Sequence, residues 1–234
     1  MDRAIFVALS GAMLQEKKLE VLSDSLANAN TAGFKRLNPI FKDVMASKNS
    51  LRSYAQVHSL ATDLSSGAMD KTERPLDVAI KGEGFFVVNT GGGLRYTRDG
   101  NFTLSTDGTL TTREGYEVQG ENGPVRLSST AVAIDEDGVI TENNQQVERL
   151  KLAYFEKPET LGRAGSLFVA PDNVQALAAQ KAKIEQGYIE TSNVSVVKAM
   201  TSMIEALRSY ETQTKLIQTV DDMTRKSVEE VGRV

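Results

Sequence analysis

At 234 residues, with 40% hydrophobic and 25% charged side chains, the chain has the size and make-up of a soluble globular protein able to bury a sizeable core. A net charge of −4 gives no electrostatic footprint for nucleic acid or an anionic membrane. The absence of cysteine removes disulfides, thiol catalysis and most structural zinc schemes, and leaves the compartment open.

Asp2 to Ala27 reads as one amphipathic helix. Ile5, Ala12, Leu19 and Leu26 recur at sevens, Leu9, Met13 and Leu22 widen the apolar stripe, and Lys17, Lys18, Glu20 and Asp24 stand off it. Gly11 weakens this helix by about 1 kcal/mol relative to alanine, so a partner helix is needed to hold it. Ala4 to Leu14 is apolar enough for a signal-peptide core. No small-residue cleavage site follows, however, and the helical period continues through Gln15-Glu16-Lys17-Lys18, so the expectation is an uncleaved helix whose apolar run is too short to span a bilayer. The stretch Leu26 to Arg36, LANANTAGFKR, then ends it. Asn28, Asn30 and Gly33 suit the left-handed backbone of a helix C-cap, and Phe34 can pack back on the last turn.

Residues 37–75 read as a polar linker. Pro39 discourages helix at Asn38, and Phe41, Val44 and Met45 promise a short amphipathic turn at most. His58, the only histidine, has no second candidate ligand nearby and reads as a solvated polar residue.

From Leu76 the period becomes two. Leu76, Val78 and Ile80 alternate with Asp77, Ala79 and Lys81 as in a half-buried strand, and Phe85-Phe86-Val87-Val88 is an apolar run suited to a core strand. Asp99-Gly100, Asp107-Gly108, Glu114-Gly115, Asn122-Gly123 and Asp137-Gly138 then supply turns at nearly regular intervals. Leu150 to Phe155 reads as a longer strand and Phe168-Val169 as another, while Ala176 to Ala182 is left open between a brief helix and an alanine-rich connection. The second long helix begins after Ser192 or Asn193 as N-cap, with Val196, Met203, Tyr210, Ile217 and Thr224 at sevens beside Met200, Leu207 and Thr214.

The expected fold class is therefore α+β: long N- and C-terminal helices packing as a coiled-coil-like pair, with an inserted antiparallel all-β domain. The boundaries are 1–36 for the first helix and its Asn/Gly hinge, 37–75 for the linker, 76–185 for the β domain and 186–234 for the last helix.

Little in the sequence carries chemistry. No phosphate loop is present, and Gly82-Glu83-Gly84 lacks the third glycine and the helix of a dinucleotide fingerprint. Asp135 to Gly138 fails the calcium-loop spacing and reads as a hairpin turn. Asp99 and Asp137 would be the pair for a glycosidase, but both sit where turns favour aspartate. No nucleophile–base arrangement is visible, so no catalytic, cofactor-binding or metal residue is assigned.

Three stretches carry a resemblance. Met1-Asp2-Arg3-Ala4-Ile5 through Gly33-Phe34-Lys35-Arg36 looks like the N-terminal domain of flagellar basal-body rod proteins. Leu76 to Phe86, followed by Tyr96 to Phe102, is similar to the opening of the β domain of the longer rod proteins and the hook protein. Gly187-Tyr188-Ile189-Glu190-Thr191-Ser192-Asn193-Val194 through Tyr210-Glu211 resembles their C-terminal assembly helix. The resemblance implies a structural, non-enzymatic subunit of the rod, the drive shaft of the flagellum. The opening MDRAI and the short linker favour the proximal branch, while Gly187-Tyr188 to Val194 and Ile217-Gln218-Thr219 resemble the distal branch almost equally. It further implies export without a cleaved signal by the flagellar type III apparatus, a periplasmic basal-body location, and terminal helices that order on assembly. The implied partners are other rod subunits and copies of the chain itself, with no nucleic acid, substrate or membrane embedding. The expected subunit interface is Ile5, Leu9, Leu19, Leu22 and Leu26 against Met203, Leu207, Tyr210 and Ile217, with Asn28, Asn30, Gly33 and Phe34 setting where the chain leaves the inner layer. A secreted carbohydrate-active enzyme and a surface adhesion module are the readings from other classes; both leave the heptad-spaced ends unexplained.

Overall fold

The computed structural model describes residues 2–45, 53–179 and 181–231. They fall into two compact units. One comprises the described parts of Met1–Ala29, Arg36–Asp63 and Val194–Val234; the other comprises Asn30–Lys35 and Leu64–Asn193.

The first unit is built on α1 (Asp2–Ala27) and α2 (Val196–Val231), which pack on each other as the apolar periods require. At 1.5 Å per residue they run to about 39 and about 54 Å. The α2 start differs from the expected one. Ser195, not Ser192 or Asn193, directly precedes the helix, and its carbonyl accepts the Ala199 N–H at 2.9 Å.

Where the sequence suggests a linker and a short turn, the same unit holds an antiparallel hairpin, β1 (Leu37–Met45) with β2 (Ser53–Thr62). Pro39 pushes Asn38 into extended backbone, and a two-stranded sheet consists only of edges, where a missing N–H is tolerated. The register shifts at Ile40/Phe41, and both strands pack against α1. His58 lies in β2, with its side chain outside the described residues.

The second unit carries the remaining strands. In order they are β3 (Met69–Lys71), β4 (Val78–Lys81), β5 (Phe85–Asn89), β6 (Leu94–Thr97), β7 (Thr103–Leu104), β8 (Leu110–Thr111), β9 (Glu117–Val118), β10 (Val132–Ile134) and β11 (Val139–Glu142). There follow β12 (Gln145–Arg149), β13 (Leu152–Tyr154), β14 (Gly162–Ala164), β15 (Leu167–Val169), β16 (Leu177–Ala178), β17 (Lys183–Gln186) and β18 (Tyr188–Glu190). The main sheet runs β14-β15-β6-β5-β9-β8-β7, with β13 and β16 branching from β5. A three-stranded sheet, β10-β11-β12, and the pairs β17-β4 and β18-β3 complete an all-antiparallel unit.

β5 explains its own apolar run. Phe86 and Val88 face a core with Val78, Ile80, Phe102, Leu110, Ile140 and Ile184, while Phe85 and Val87 face a second core with Tyr96, Phe155 and Phe168. Edge-to-face rings consolidate that second side, Tyr96 on Phe155 at 4.8 Å and Phe85 on Phe168 at 5.3 Å. β4 is not half-buried as its alternation suggests. Asp77 and Ala79 are as fully buried as Val78, because both faces of the strand are covered. The open stretch before Ala182 contributes the short strand β16, and the strand expected over Leu150 to Phe155 shortens to β13.

Candidate assembly surface

Among the described residues of the helix pair the buried positions are mostly small: Ala12, Val21 and Ser25 on α1, and Ala199 and Ala206 on α2. Small residues let two helices approach closely, and the larger apolar residues are then left around the seam. Ile5, Leu19, Leu22 and Leu26, with Met203 and Ile217 on α2, are half-buried. Leu9, Leu207 and Tyr210 are exposed, together with Val7, Met13, Val197, Met200, Ile204 and Leu216. The expected interface residues thus separate into those flanking the intrachain seam and those facing outward. Exposed apolar side chains repeated along one helix form the kind of patch that marks a protein contact.

The hinge residues have different tasks from those expected. Asn28 does cap α1, but through its side chain: Nδ2 donates to the Asp24 carbonyl at 2.9 Å, with no left-handed backbone at Asn28 or at exposed Asn30. Gly33 alone has positive φ, 67°. The reason is a close approach rather than a cap, because a Cβ there would run into the backbone of Arg98 and Asp99. Phe34 is buried in the β unit with the Arg163 guanidinium 4.2 Å above its ring centroid.

Next to it lies a buried ionic cluster that the sequence did not single out. The Lys35 ammonium donates to Glu190 Oε1 at 2.5 Å and to the Ser65 carbonyl at 2.8 Å. Glu190 Oε1 also accepts the Gly67 N–H at 2.9 Å, and Oε2 accepts Arg98 Nη1 at 3.3 Å. Arg98 donates further to the carbonyls of Ile80 and Gly82. Burial lowers the Arg98 pKa, and the Glu190 carboxylate opposes that shift. Charges are rarely fully buried unless paired, and here the partners come from opposite ends of the chain, so no local signal marks them.

Asp99 is partly buried, and desolvation lifts its carboxyl to about 6. The exposed Asp137 is instead bonded by Lys183 at 2.9 Å and held below the usual carboxylate range. Asp135 to Gly138 forms the β10–β11 turn, with Asp135 Oδ1 accepting the N–H groups of Asp137 and Val139. Among the described residues no group of three or more His, Asp or Glu is placed to hold a metal, and no helix is long and apolar enough to cross a membrane.

Long paired helices from the two chain ends, large apolar residues on their outer faces and a β unit between them in sequence define a structural subunit built for assembly. Three family models agree. The flagella basal body rod protein model matches residues 5–35, the flagellar hook protein FlgE/F/G D1 domain matches 79–142, and the flagellar basal body rod FlgEFG protein C-terminal model matches 185–230. The flagellar basal-body rod protein FlgF of Caulobacter vibrioides is 32% identical over the whole of both chains, and that of Salmonella typhimurium is 35% identical over 95% of each. The flagellar basal-body rod protein FlgG of Bacillus subtilis is 30% identical over 97% of this chain and 98% of its own. The chain belongs to the flagellar basal-body rod protein family and is a structural subunit of the rod.

Proposed function

We propose that this chain is a proximal-rod subunit of the FlgF type. It leaves the cytoplasm through the flagellar type III export apparatus without losing its N-terminus, and it polymerises in the periplasm through its terminal segments, 1–36 and 186–234. Its neighbours are other rod subunits and copies of itself, and the resulting shaft passes motor torque towards the hook. The β unit, centred on 76–185, is the folded body of the subunit.

The observation that carries this reading is the outward-facing apolar row on the helix pair, Leu9 with Val197, Ile204, Leu207 and Tyr210, on a pair already closed by its own small-residue seam. Burying such rows against neighbours removes apolar surface from water, which favours association of a helix pair already packed on itself. The FlgF relatives and the opening Met1-Asp2-Arg3-Ala4-Ile5 support the proximal branch over the distal one.

An in-frame deletion tests the proposal, followed by a swimming assay and electron microscopy of purified basal bodies. A non-swimming strain whose rod stops at a short stub without a hook is the expected result. A longer stub places the chain in the distal rod instead, and a complete rod in swimming cells overturns the proposal.

A further inference from the structure

We propose that Lys35 and Glu190, anchored by Arg98, form a clamp that holds together the two points where the terminal segments leave the β unit. The proposal rests on the assembly reading above for its purpose, but not for its geometry.

The cluster lies where the chain enters and leaves the unit. Residues 30–35 follow the first helix segment in sequence, and β18 with Thr191 to Asn193 precedes the second. The two stretches are bonded to each other directly: the Gly33 N–H donates to the Glu190 carbonyl at 2.8 Å, and the Asn193 N–H to the Phe34 carbonyl at 3.4 Å. Lys35 and Glu190 join the same two stretches by charge, with side-chain exposures of 0% and 2%. Arg98, 5% exposed, ties Glu190 to the Ile80 and Gly82 carbonyls. Arg163 closes the outside, stacked on Phe34 and donating to the Lys35 carbonyl at 3.2 Å.

Stability alone does not account for such a cluster. Well-packed apolar residues of the same volume usually serve a core as well as a buried ion pair, and sometimes better. Ions differ in being intolerant of misplacement. A buried ammonium needs its acceptors, here Glu190 Oε1 and the Ser65 carbonyl, so residues 30–35 dock in one register only. A slip by one residue would bring Phe34 or Arg36 to the carboxylate and take the Lys35 ammonium away from both of these acceptors. The clamp thereby fixes, within a single folded unit, where both assembly segments begin.

Amide hydrogen exchange on the full-length protein tests this, comparing the parent with Lys35→Met. That variant leaves Glu190 balanced by Arg98, so the β unit keeps its charge pairing. At Gly33, Thr191 and Asn193 exchange is expected to accelerate at least tenfold, while Phe86 and Val88 in β5 keep parental rates. The response at Thr191 is the decisive part, because its N–H is bonded to the Ala68 carbonyl and not to residues 33–35, so a merely local effect of residue 35 would not reach it. Lys35→Gln retains a donor, folds under milder perturbation and should give intermediate rates at the same amides. Unchanged rates at Thr191 and Asn193, or equal acceleration there and in β5, would overturn the clamp. The measurement is made on the free protein. A deletion strain that swims would therefore remove the rod reading without touching this one.

Discussion

Gly11 in α1 lies against the side chain of Gln213 in α2, so close that a Cβ on Gly11 would stand 2.7 Å from Nε2. The glycine that weakens α1 as an isolated helix is thus a point of close approach in the pair. Gly11→Ala needs only a shift of a flexible carboxamide, and the alanine returns about 1 kcal/mol of helix propensity. Gly11→Leu has no such escape, and overpacking of this kind typically costs about 1–3 kcal/mol. Thermal melts followed by far-ultraviolet circular dichroism should show helical signal retained or strengthened in the first variant and lost earlier in the second. Equal behaviour would mean that the glycine has no packing role.

The separation of seam from outer face predicts opposite outcomes for neighbouring residues. Ala206 is buried in the seam, and Leu207 beside it is 44% exposed. Leu207→Asp should fold with parental helicity and an intact β unit, yet fail to complement a deletion strain for swimming. Ala206→Leu should lower helicity in the purified monomer before any question of assembly arises. A Leu207→Asp protein that supports normal swimming would place the subunit contact elsewhere.

These two positions also show how far the sequence could be read. The bounds of α1 and the burial of β5 follow from apolar periods, which register large side chains well. The apolar heptads of α2 point to Val196, Met203 and Tyr210, because Ala199 and Ala206, which are the buried positions, weigh little on any hydrophobic scale. The β1–β2 hairpin is not legible because the apolar residues of its strands do not alternate regularly and β1 carries a proline, which the open edges of a two-stranded sheet tolerate. Lys35 and Glu190 stand 155 residues apart, and nothing local distinguishes a charge awaiting such a partner from a solvated one.

Asp99 predicts a pH signature. Its carboxyl is raised to about 6, from an ordinary value of 3.8, chiefly because partial burial disfavours the charged form. The folded state therefore binds this proton more tightly than the unfolded chain does. The stabilising contribution grows as pH falls from above 6 towards 4, and above 6 the folded protein bears the full cost of the ionised group. Asp99→Asn removes that cost and keeps an oxygen to accept the Asn101 N–H, bonded at 2.9 Å in the parent. The variant should melt higher than the parent at pH 7.5, and the gap should narrow as pH falls through 6 and close only below the ordinary value of 3.8. A gap independent of pH would show that Asp99 does not titrate in this range.

Gly33 offers the sharpest test of close backbone approach, with Gly115 as its control. Both have positive φ, 67° and 87°, so alanine at either position is strained by about 1 kcal/mol. Their surroundings differ. A Cβ at Gly115 would meet nothing within 4 Å, whereas at Gly33 it would overlap the backbone of Arg98 and Asp99, which has no side-chain freedom with which to give way. Gly115→Ala should therefore lose about 1 kcal/mol in denaturant unfolding. Gly33→Ala should lose at least about 1 kcal/mol more, through the displaced contact with the 98–99 backbone. Because Gly33 also donates to the Glu190 carbonyl, its loss should accelerate amide exchange at Thr191 and Asn193, which Gly115→Ala leaves untouched. If the two alanine variants are equally stable and exchange alike, residues 30–35 are not seated against the β unit in solution as they are here.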